Sequence, residues 1–151
     1  MKFSSMFRAA IPAVVASAAL ALAGCETMRS TYDSMFSGSS VTLSGAEEVP
    51  PVKTAGSGSG TITVKDDKSV SGSVTITGFT ATAAHIHMGA ASCVCPVIIP
   101  LTKSSDGNTF SVPAGAKLTD AQYDAYKAGN LYVNVHSAAN KSGEVRGRLK
   151  P

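Results

Sequence analysis

Short runs in which apolar and polar residues alternate with a period of two constrain the fold of this chain most strongly. Such runs occupy residues 61–64, 70–77 and 131–136. Alternation puts every second side chain on the same face of a strand, so each run has an apolar and a polar face. Turn-forming residues at 66–68 and 105–108 indicate hairpins. From Val41 onward the pattern predicts an all-β domain whose strands bury one face and expose the other.

One segment breaks this alternation and carries the signals of a short helix. Thr119 stands at an N-cap position, Asp120 places an acid in the first turn, and Gly129 follows the end. We therefore expect one short helix near 119–128. The dense apolar run 94–101 contains prolines and favours an edge or broken strand. About seven short strands predict a Greek-key sandwich or barrel, immunoglobulin-like or superoxide-dismutase-like, with this one helix.

The first 24 residues have the layout of a bacterial secretory signal. Lys2 and Arg8 precede an apolar run over residues 9–22, which is shorter than the roughly 18–20 residues that a membrane span needs. The run ends in Leu-Ala-Gly-Cys, which resembles a bacterial lipobox. This resemblance implies cleavage before Cys25 and lipid attachment to its sulfur. The alternative is an ordinary signal peptide followed by a stray cysteine.

These features predict three regions in the chain. Residues 1–24 are the lipoprotein signal peptide, residues 25–40 are the lipidated N-terminus and a polar tether, and residues 41–151 are the domain. Several acyl chains on one residue anchor a protein stably. Glu26 follows the cysteine where an aspartate would indicate retention at the inner membrane. In a bacterium with two membranes we expect an outer-membrane anchor, with the domain facing the periplasm.

Charge and missing motifs exclude several classes of function. Two of the 13 Lys and Arg residues lie in the leader, so 11 remain against 10 Asp and Glu. A nearly neutral domain lacks the positive electrostatic potential that attracts nucleic acid. The sequence has no nucleophile elbow, P-loop or dinucleotide fingerprint. Glu47 and Glu48 are adjacent and point to opposite faces of a strand, so we interpret them as a solvated strand end.

Four motifs stand in order along the domain. They are LSGAEEVPP at 43–51, AHIHMG at 84–89, AGNLYVNVH at 128–136 and GEVRG at 143–147. In combination they resemble the CHRD domain, a module named after chordin and also found in many bacterial secreted proteins. The resemblance covers residues 41–149 and implies an all-β domain. It implies no particular chemistry for the bacterial members; in chordin the repeats belong to a protein that binds growth factors.

All three histidines of the chain fall inside these motifs. His85 and His87 are two residues apart, so on a strand they share one face. His136 shares a face with Tyr132 and Asn134. If the two strands are neighbours, the three imidazoles form a cluster, and neutral imidazoles suit copper, zinc or nickel. The alternative is that the histidines hydrogen-bond to loop backbone and hold one end of the fold together.

Cys93 and Cys95 follow the histidine pair closely, whereas the family pattern usually has Gly or Asn near these positions. Three interpretations remain open for them. They form a disulfide, they bind a soft metal ion as thiolates with or without the histidines, or they are two free thiols. A disulfide requires a turn, because alternate residues of an extended strand lie about 6.5 Å apart. An oxidising compartment favours this first interpretation.

The order of these residues is also similar to that of copper–zinc superoxide dismutase, another Greek-key sandwich. By this similarity, the three histidines would be copper ligands, and Arg146 or Arg148 would guide an anion to the metal. The chain lacks the further histidines and the aspartate that hold zinc, and also the intersheet disulfide, so a complete dismutase is not implied. Alternatively, Arg146 or Arg148 lies opposite Glu144 and has a structural role.

Three functions are compatible with these features. The favoured one is a lipid-anchored envelope module without enzymatic activity that binds copper, or alternatively zinc, for sequestration or delivery. Its predicted ligands are His85, His87, His136, Cys93 and Cys95. The second is a copper-dependent redox enzyme built on the same histidines, and the third is a structural or protein-binding envelope module without metal. The expected partners are the membrane, through the lipid, and a metal ion.

Overall fold

The computed structural model of this protein describes residues 38–90 and 92–151. The predicted leader, Cys25 and the predicted tether as far as residue 37 lie outside the described residues. In the part of the chain that is described, no helix is long and apolar enough to cross a membrane.

The described residues form short strands and one α-helix. The elements are β1 Ser39–Ser44, β2 Ser57–Val64, β3 Val70–Thr77, β4 Ala81–Met88, β5 Val97–Pro100, β6 Thr102–Lys103, β7 Thr109–Ser111, α1 Asp120–Lys127, β8 Leu131–Ser137 and β9 Val145–Leu149. A single 3-10 turn, Gly45–Glu47, follows β1. The predicted hairpin turn at 66–68 joins β2 to β3, and the turn at 105–108 joins β6 to β7. The predicted edge strand in the 94–101 run is β5.

All strands belong to one antiparallel sheet in the order β5-β4-β8-β9-β1-β2-β3-β7-β6. The two edge strands, β5 and β6, are separated in the chain by Leu101 alone. The Leu101 N–H donates to the Ala84 carbonyl at 2.9 Å, and the Lys103 ammonium donates to the Ala81 carbonyl at 2.6 Å. The sheet therefore curls until its edges nearly meet. The all-β prediction is confirmed, in its barrel form and with one helix.

The barrel interior is filled by the inward-facing residues of the strands. The fully buried members include Val41, Leu43, Ile62, Val74, Ile76, Ile86, Phe110, Leu131, Val133 and Val135. In β8 the inward positions are the apolar ones that the alternation predicts. Burial of this apolar surface is the main source of the fold's stability.

The outer face of β4, β8 and β9 is also covered, which the alternation did not predict. On this face Tyr132 is 0% exposed, and Asn134 and Arg146 are each 2% exposed. Two segments without strand structure lie over it, one at 45–56 and one at 92–96, and both hydrogen-bond or ion-pair to its side chains. The expectation of a solvent-facing polar side is therefore wrong for this part of the sheet.

Helix α1 begins and ends where its sequence signals predict. The Thr119 hydroxyl accepts a hydrogen bond from the Gln122 N–H at 3.3 Å, and the Gln122 side chain accepts one from the Thr119 N–H at 2.9 Å. This reciprocal capping satisfies two of the donors that a helix start leaves unpaired. After the helix, Gly129 has φ of +71°, a conformation that glycine adopts without strain.

Candidate metal centre

Antiparallel pairing of β4 with β8 places the three histidines on one face. His85 lies opposite Asn134, His87 lies opposite Tyr132, and His136 lies opposite Ala83. All six residues are on the outer face of the barrel, because Ile86 and Val135 between them point into the core. One potential ligand nitrogen from each histidine lies within 4.8 Å of the other two. The structure therefore assembles the predicted cluster of His85, His87 and His136.

Two of the three imidazoles are oriented by backbone carbonyls. His87 Nδ1 lies 2.7 Å from the Cys95 carbonyl oxygen, and His136 Nδ1 lies 3.0 Å from the Lys141 carbonyl oxygen. A carbonyl oxygen only accepts, so each Nδ1 must carry the proton. In the neutral ring the lone pair is then on Nε2. Backbone contacts of this kind are the ones that orient metal-binding histidines.

Among the residues that the structure describes, the third histidine, His85, contacts the ring of His136 and not a backbone carbonyl. His85 Nδ1 lies 3.0 Å from His136 Nε2, and the two ring centres are 4.9 Å apart. Because His136 Nε2 holds a lone pair, His85 Nδ1 is the donor in this contact. With the His85 proton on Nε2 instead, Nδ1 would also carry a lone pair, and His85 Nδ1 and His136 Nε2 would hold a metal ion together.

His87 is the most buried of the three, at 7% exposed. Its ring stacks on the Tyr132 ring, with centres 5.0 Å apart and planes inclined by 6°. Its Nε2 is buried, and no group in the described part of the chain hydrogen-bonds to it. An unsatisfied buried nitrogen costs about 1–3 kcal/mol. A metal ion that binds to this lone pair would offset that cost.

Burial lowers the pKa of all three histidines below the usual 6.5. For His87 the neighbouring His85 and Arg146 lower the pKa further, while the hydrogen bond to the Cys95 carbonyl opposes the shift. For His136 the second cause after burial is the neighbouring His85. The cluster is therefore neutral at pH 7, which is the protonation state that binds metal ions.

Cys93 and Cys95 form a disulfide, which is the first of the three interpretations of this pair. The two Cα atoms are 5.3 Å apart, closer than the roughly 6.5 Å between alternate residues of an extended strand, so the chain bends between them as the bridge requires. A disulfide sulfur is not a thiolate and is a poor metal ligand. Among the described residues the ligand cluster consists of the three histidines, without the two predicted cysteines.

Both arginines of β9 project onto the histidine-bearing face, but their contacts are structural. Arg146 forms an ion pair with Glu48, with 3.4 Å between Nε and Oε2, and its guanidinium lies 4.2 Å from the Tyr132 ring centre. Arg148 donates to the carbonyls of Gly89 and Gly129 at 3.1 and 2.9 Å. The structure gives no support to an anion-guiding role for the buried Arg146, which is 2% exposed.

The two acidic residues near these arginines, Glu144 and Glu48, have surroundings that differ from those expected. Glu144 accepts hydrogen bonds from Thr54, Ser137 and Asn140, so the expectation that it faces Arg146 or Arg148 is wrong. These hydrogen bonds lower the pKa of Glu144. Glu48 is 4% exposed, so the interpretation of Glu47 and Glu48 as a solvated strand end is wrong for Glu48. Burial raises its pKa, and the nearby Arg146 opposes that shift.

Sequence reasoning missed two further contributors to the site, Tyr132 and Gly89. Alternation puts Tyr132 on the same face as His136, but it does not show that the Tyr132 ring packs on His87. Gly89 lies two residues beyond His87 on the same face, and a Cβ there would overlap the Cys95 side chain. The signal was present: a residue without a side chain, in register with two histidines, indicates close approach of another segment.

Comparisons with known proteins identify the family. The model of the CHRD domain matches residues 39–149. No curated protein and no solved structure matches the chain. The family match spans the whole barrel and includes all three histidines, so the chain belongs to the CHRD domain family.

Proposed function

We propose that this protein binds one transition-metal ion through His85, His87 and His136, and that copper is the metal it takes. The observation that carries the proposal is the convergence of three neutral imidazoles, with one nitrogen of each within 4.8 Å of the others and two of the rings oriented by backbone carbonyls. A purely structural role for the histidines would not explain why His87 Nε2 is buried with no hydrogen-bonding group of the described chain beside it.

The distances within the cluster are close to those of a coordination sphere. Two nitrogens bound to one ion at about 2.05 Å in tetrahedral geometry lie about 3.3 Å apart. His85 Nδ1 and His136 Nε2 are 3.0 Å apart, so this pair needs little movement to bind an ion. One ring nitrogen of His87 lies within 4.8 Å of a nitrogen of each of the other two histidines. A small approach of one ring would complete the site.

The chemistry of the donors supports copper over other divalent ions. Imidazole nitrogen is intermediate between hard and soft ligands, and it suits copper, zinc and nickel. Among the divalent first-row metal ions, Cu²⁺ generally binds most tightly to a given site. With Cys93 and Cys95 joined in a disulfide, no thiolate of this pair competes for the ion. Zinc is the alternative, because it also favours three histidines with an open position.

We further propose that the protein carries this site at the surface of a membrane in the cell envelope. The support is the leader over residues 1–24 and the lipobox-like sequence that ends at Cys25. Residues 26–38 would then link the lipid to β1, which starts at Ser39. A lipid-anchored outer-membrane module facing the periplasm would sequester or deliver copper.

The test is metal binding by the mature chain, residues 25–151, with Cys25→Ser to prevent lipidation. Metal content and competition titrations with Cu(II), Cu(I) and Zn(II) are measured for this protein and for His85→Ala and His136→Ala. We expect the parent to bind one equivalent of copper. In both variants the copper affinity should fall by more than the roughly 10- to 100-fold that removal of a histidine's outer hydrogen-bond partner causes.

The matched control is Ser142→Ala, an exposed side chain in the loop that supplies the Lys141 carbonyl. It should bind copper like the parent. Circular dichroism confirms that each variant is folded. Folded protein that binds neither copper nor zinc would overturn the proposal and assign the histidines to the scaffold of the barrel. Zinc binding without copper binding would overturn the choice of metal.

A further inference from the structure

The Cys93–Cys95 disulfide lies on the same face of the sheet as the histidines, directly beyond His87. His85 and His87 share the outer face of β4, and Gly89 follows directly after the end of this strand. The position that a Cβ of Gly89 would fill is occupied by the side chain of Cys95, with the Cys93 sulfur 3.1 Å away. The disulfide thus packs next to the metal cluster in the space that this glycine leaves.

The backbone of the disulfide segment, residues 92–96, is bound to the sheet through the two bridged residues. The Cys95 carbonyl accepts from His87 Nδ1 at 2.7 Å, and the Cys95 N–H donates to the Tyr132 hydroxyl at 3.0 Å. The Cys93 carbonyl accepts from the Tyr132 hydroxyl at 3.2 Å and from Arg146 at 3.0 Å. Both carbonyls of the bridge therefore point at the face that carries the histidines.

Apolar packing does not explain why this segment stays in place. Val94, between the two cysteines, is 67% exposed, so the tip of the segment buries no side chain in the core. A bridge between residues two apart restricts the backbone torsions that aim both carbonyls. Without the bridge, these residues regain backbone freedom, and the entropy of that freedom opposes the hydrogen bonds that hold the segment.

We propose that the Cys93–Cys95 disulfide is a redox-sensitive positioning element of the metal site. In the oxidised protein it holds the Cys95 carbonyl on His87 Nδ1, which keeps the proton there and leaves the Nε2 lone pair for the metal. Reduction releases that carbonyl, lets the His87 proton move to Nε2, and weakens metal binding. This inference rests on the proposed function for its metal readout, but not for its effect on His87.

The redox step is thiol–disulfide exchange with a dithiol. A thiolate of the dithiol attacks one sulfur of the bridge, forms a mixed disulfide and displaces the other sulfur as a thiolate. The second thiol of the dithiol then displaces the remaining cysteine. Two electrons and two protons pass to Cys93 and Cys95, which become thiols, and the dithiol becomes a disulfide. Cys93 and Cys95 are half-buried and flank the exposed Val94, so the bridge lies near the protein surface, where such a reagent can approach it.

The first experiment needs no metal. Nitrogen-15 spectra of the histidine rings are recorded for the metal-free mature chain, oxidised and after reduction with dithiothreitol, and for the Cys93→Ser/Cys95→Ser variant. In the oxidised chain we expect His87 protonated at Nδ1 alone. In the reduced chain and in the double variant we expect a mixture of His87 tautomers. A His87 spectrum that is the same in all three would overturn the proposal.

The second experiment compares Zn(II) affinity in the same three proteins, because zinc does not oxidise thiols; the dithiol is removed under nitrogen first. We expect the reduced protein and the double variant to bind Zn(II) about 10- to 100-fold more weakly than the oxidised protein, the usual cost of losing a histidine's outer partner. Val94→Ser keeps the bridge and should bind like the parent.

The outcomes separate this inference from the proposed function. Tighter binding by the reduced protein but not by the double variant would overturn the positioning role, because the thiols would then be ligands. Equal affinities in all three proteins would also overturn it. Failure of the oxidised protein to bind Zn(II) or copper would remove the metal site, while the His87 tautomer would still test the effect of the bridge.

Discussion

The burial of His87 predicts that the metal-free protein loses stability in mild acid. Burial lowers the pKa of His87 below 6.5 in the folded chain, while in the unfolded chain the pKa stays near 6.5. Below pH 6.5 the unfolded chain therefore binds more protons than the folded one. The stability that a neutral His87 provides is complete above pH 6.5 and is lost as the pH falls toward the folded pKa.

For one proton the loss is at most about 1.4 kcal/mol per pH unit. The perturbation that isolates it is His87→Gln, which does not titrate and whose amide can donate to the Cys95 carbonyl. Relative to this variant, the metal-free parent should lose unfolding free energy between about pH 7.5 and about pH 5.5, by at most about 1.4 kcal/mol over the whole range. The raised pKa of Glu48 acts in the opposite direction, but it is present in both proteins and cancels in the difference.

The assay is urea unfolding of both metal-free proteins across this pH range, followed by circular dichroism. Ser142→Ala serves as the control and should follow the parent at every pH. If the difference in unfolding free energy between the parent and His87→Gln does not change with pH, His87 is not held neutral by burial. The neutral protonation state that the metal site requires would then lose its basis.

Three further predictions address the metal and the contacts around it. Metal at about 100 times its dissociation constant should stabilise the parent by about 2.7 kcal/mol in thermal unfolding, and a similar gain in His136→Ala would contradict this site. Gly89→Ala should lower the unfolding free energy by about 1–3 kcal/mol through overlap with Cys95, and unchanged unfolding would refute that close packing. Tyr132→Phe leaves the Cys95 N–H without its hydroxyl partner and should cost about 1–3 kcal/mol by urea unfolding; a neutral effect would contradict this.

The sequence predicted the faces of the strands well because side-chain alternation is a local property. It placed His85 and His87 on one face and His136 on the polar face of its own strand, and both assignments are confirmed. Which strands pair with each other, in contrast, is not a local property of the sequence. The pairing of β4 with β8 joins residues about 50 positions apart, and nothing in either run fixes that choice. From the sequence alone, the cluster is therefore predicted only on the condition that β4 and β8 are neighbours.

The cover over the outer face could not be predicted from alternation. A polar strand face has the same pattern whether it meets water or a loop rich in hydrogen-bonding groups. Glu48 shows the consequence: its neighbours give it the sequence of a solvated strand end, yet it is buried against Arg146. The disulfide segment is similar, because its contacts with Tyr132 and His87 are made by backbone carbonyls and N–H groups, which every sequence has.

This arrangement separates what holds the fold from what would bind the metal. The barrel is stabilised from inside by residues such as Ile86 and Val135, whereas His85 and His136 lie on its outer surface and are half-buried. Replacing an outer histidine removes a ligand nitrogen but leaves the core filled, so no cavity forms inside the barrel. Loss of metal binding in folded His85→Ala or His136→Ala protein therefore reports the loss of a ligand. His87 differs, because it is buried beneath the disulfide segment and contributes both to that packing and to the site.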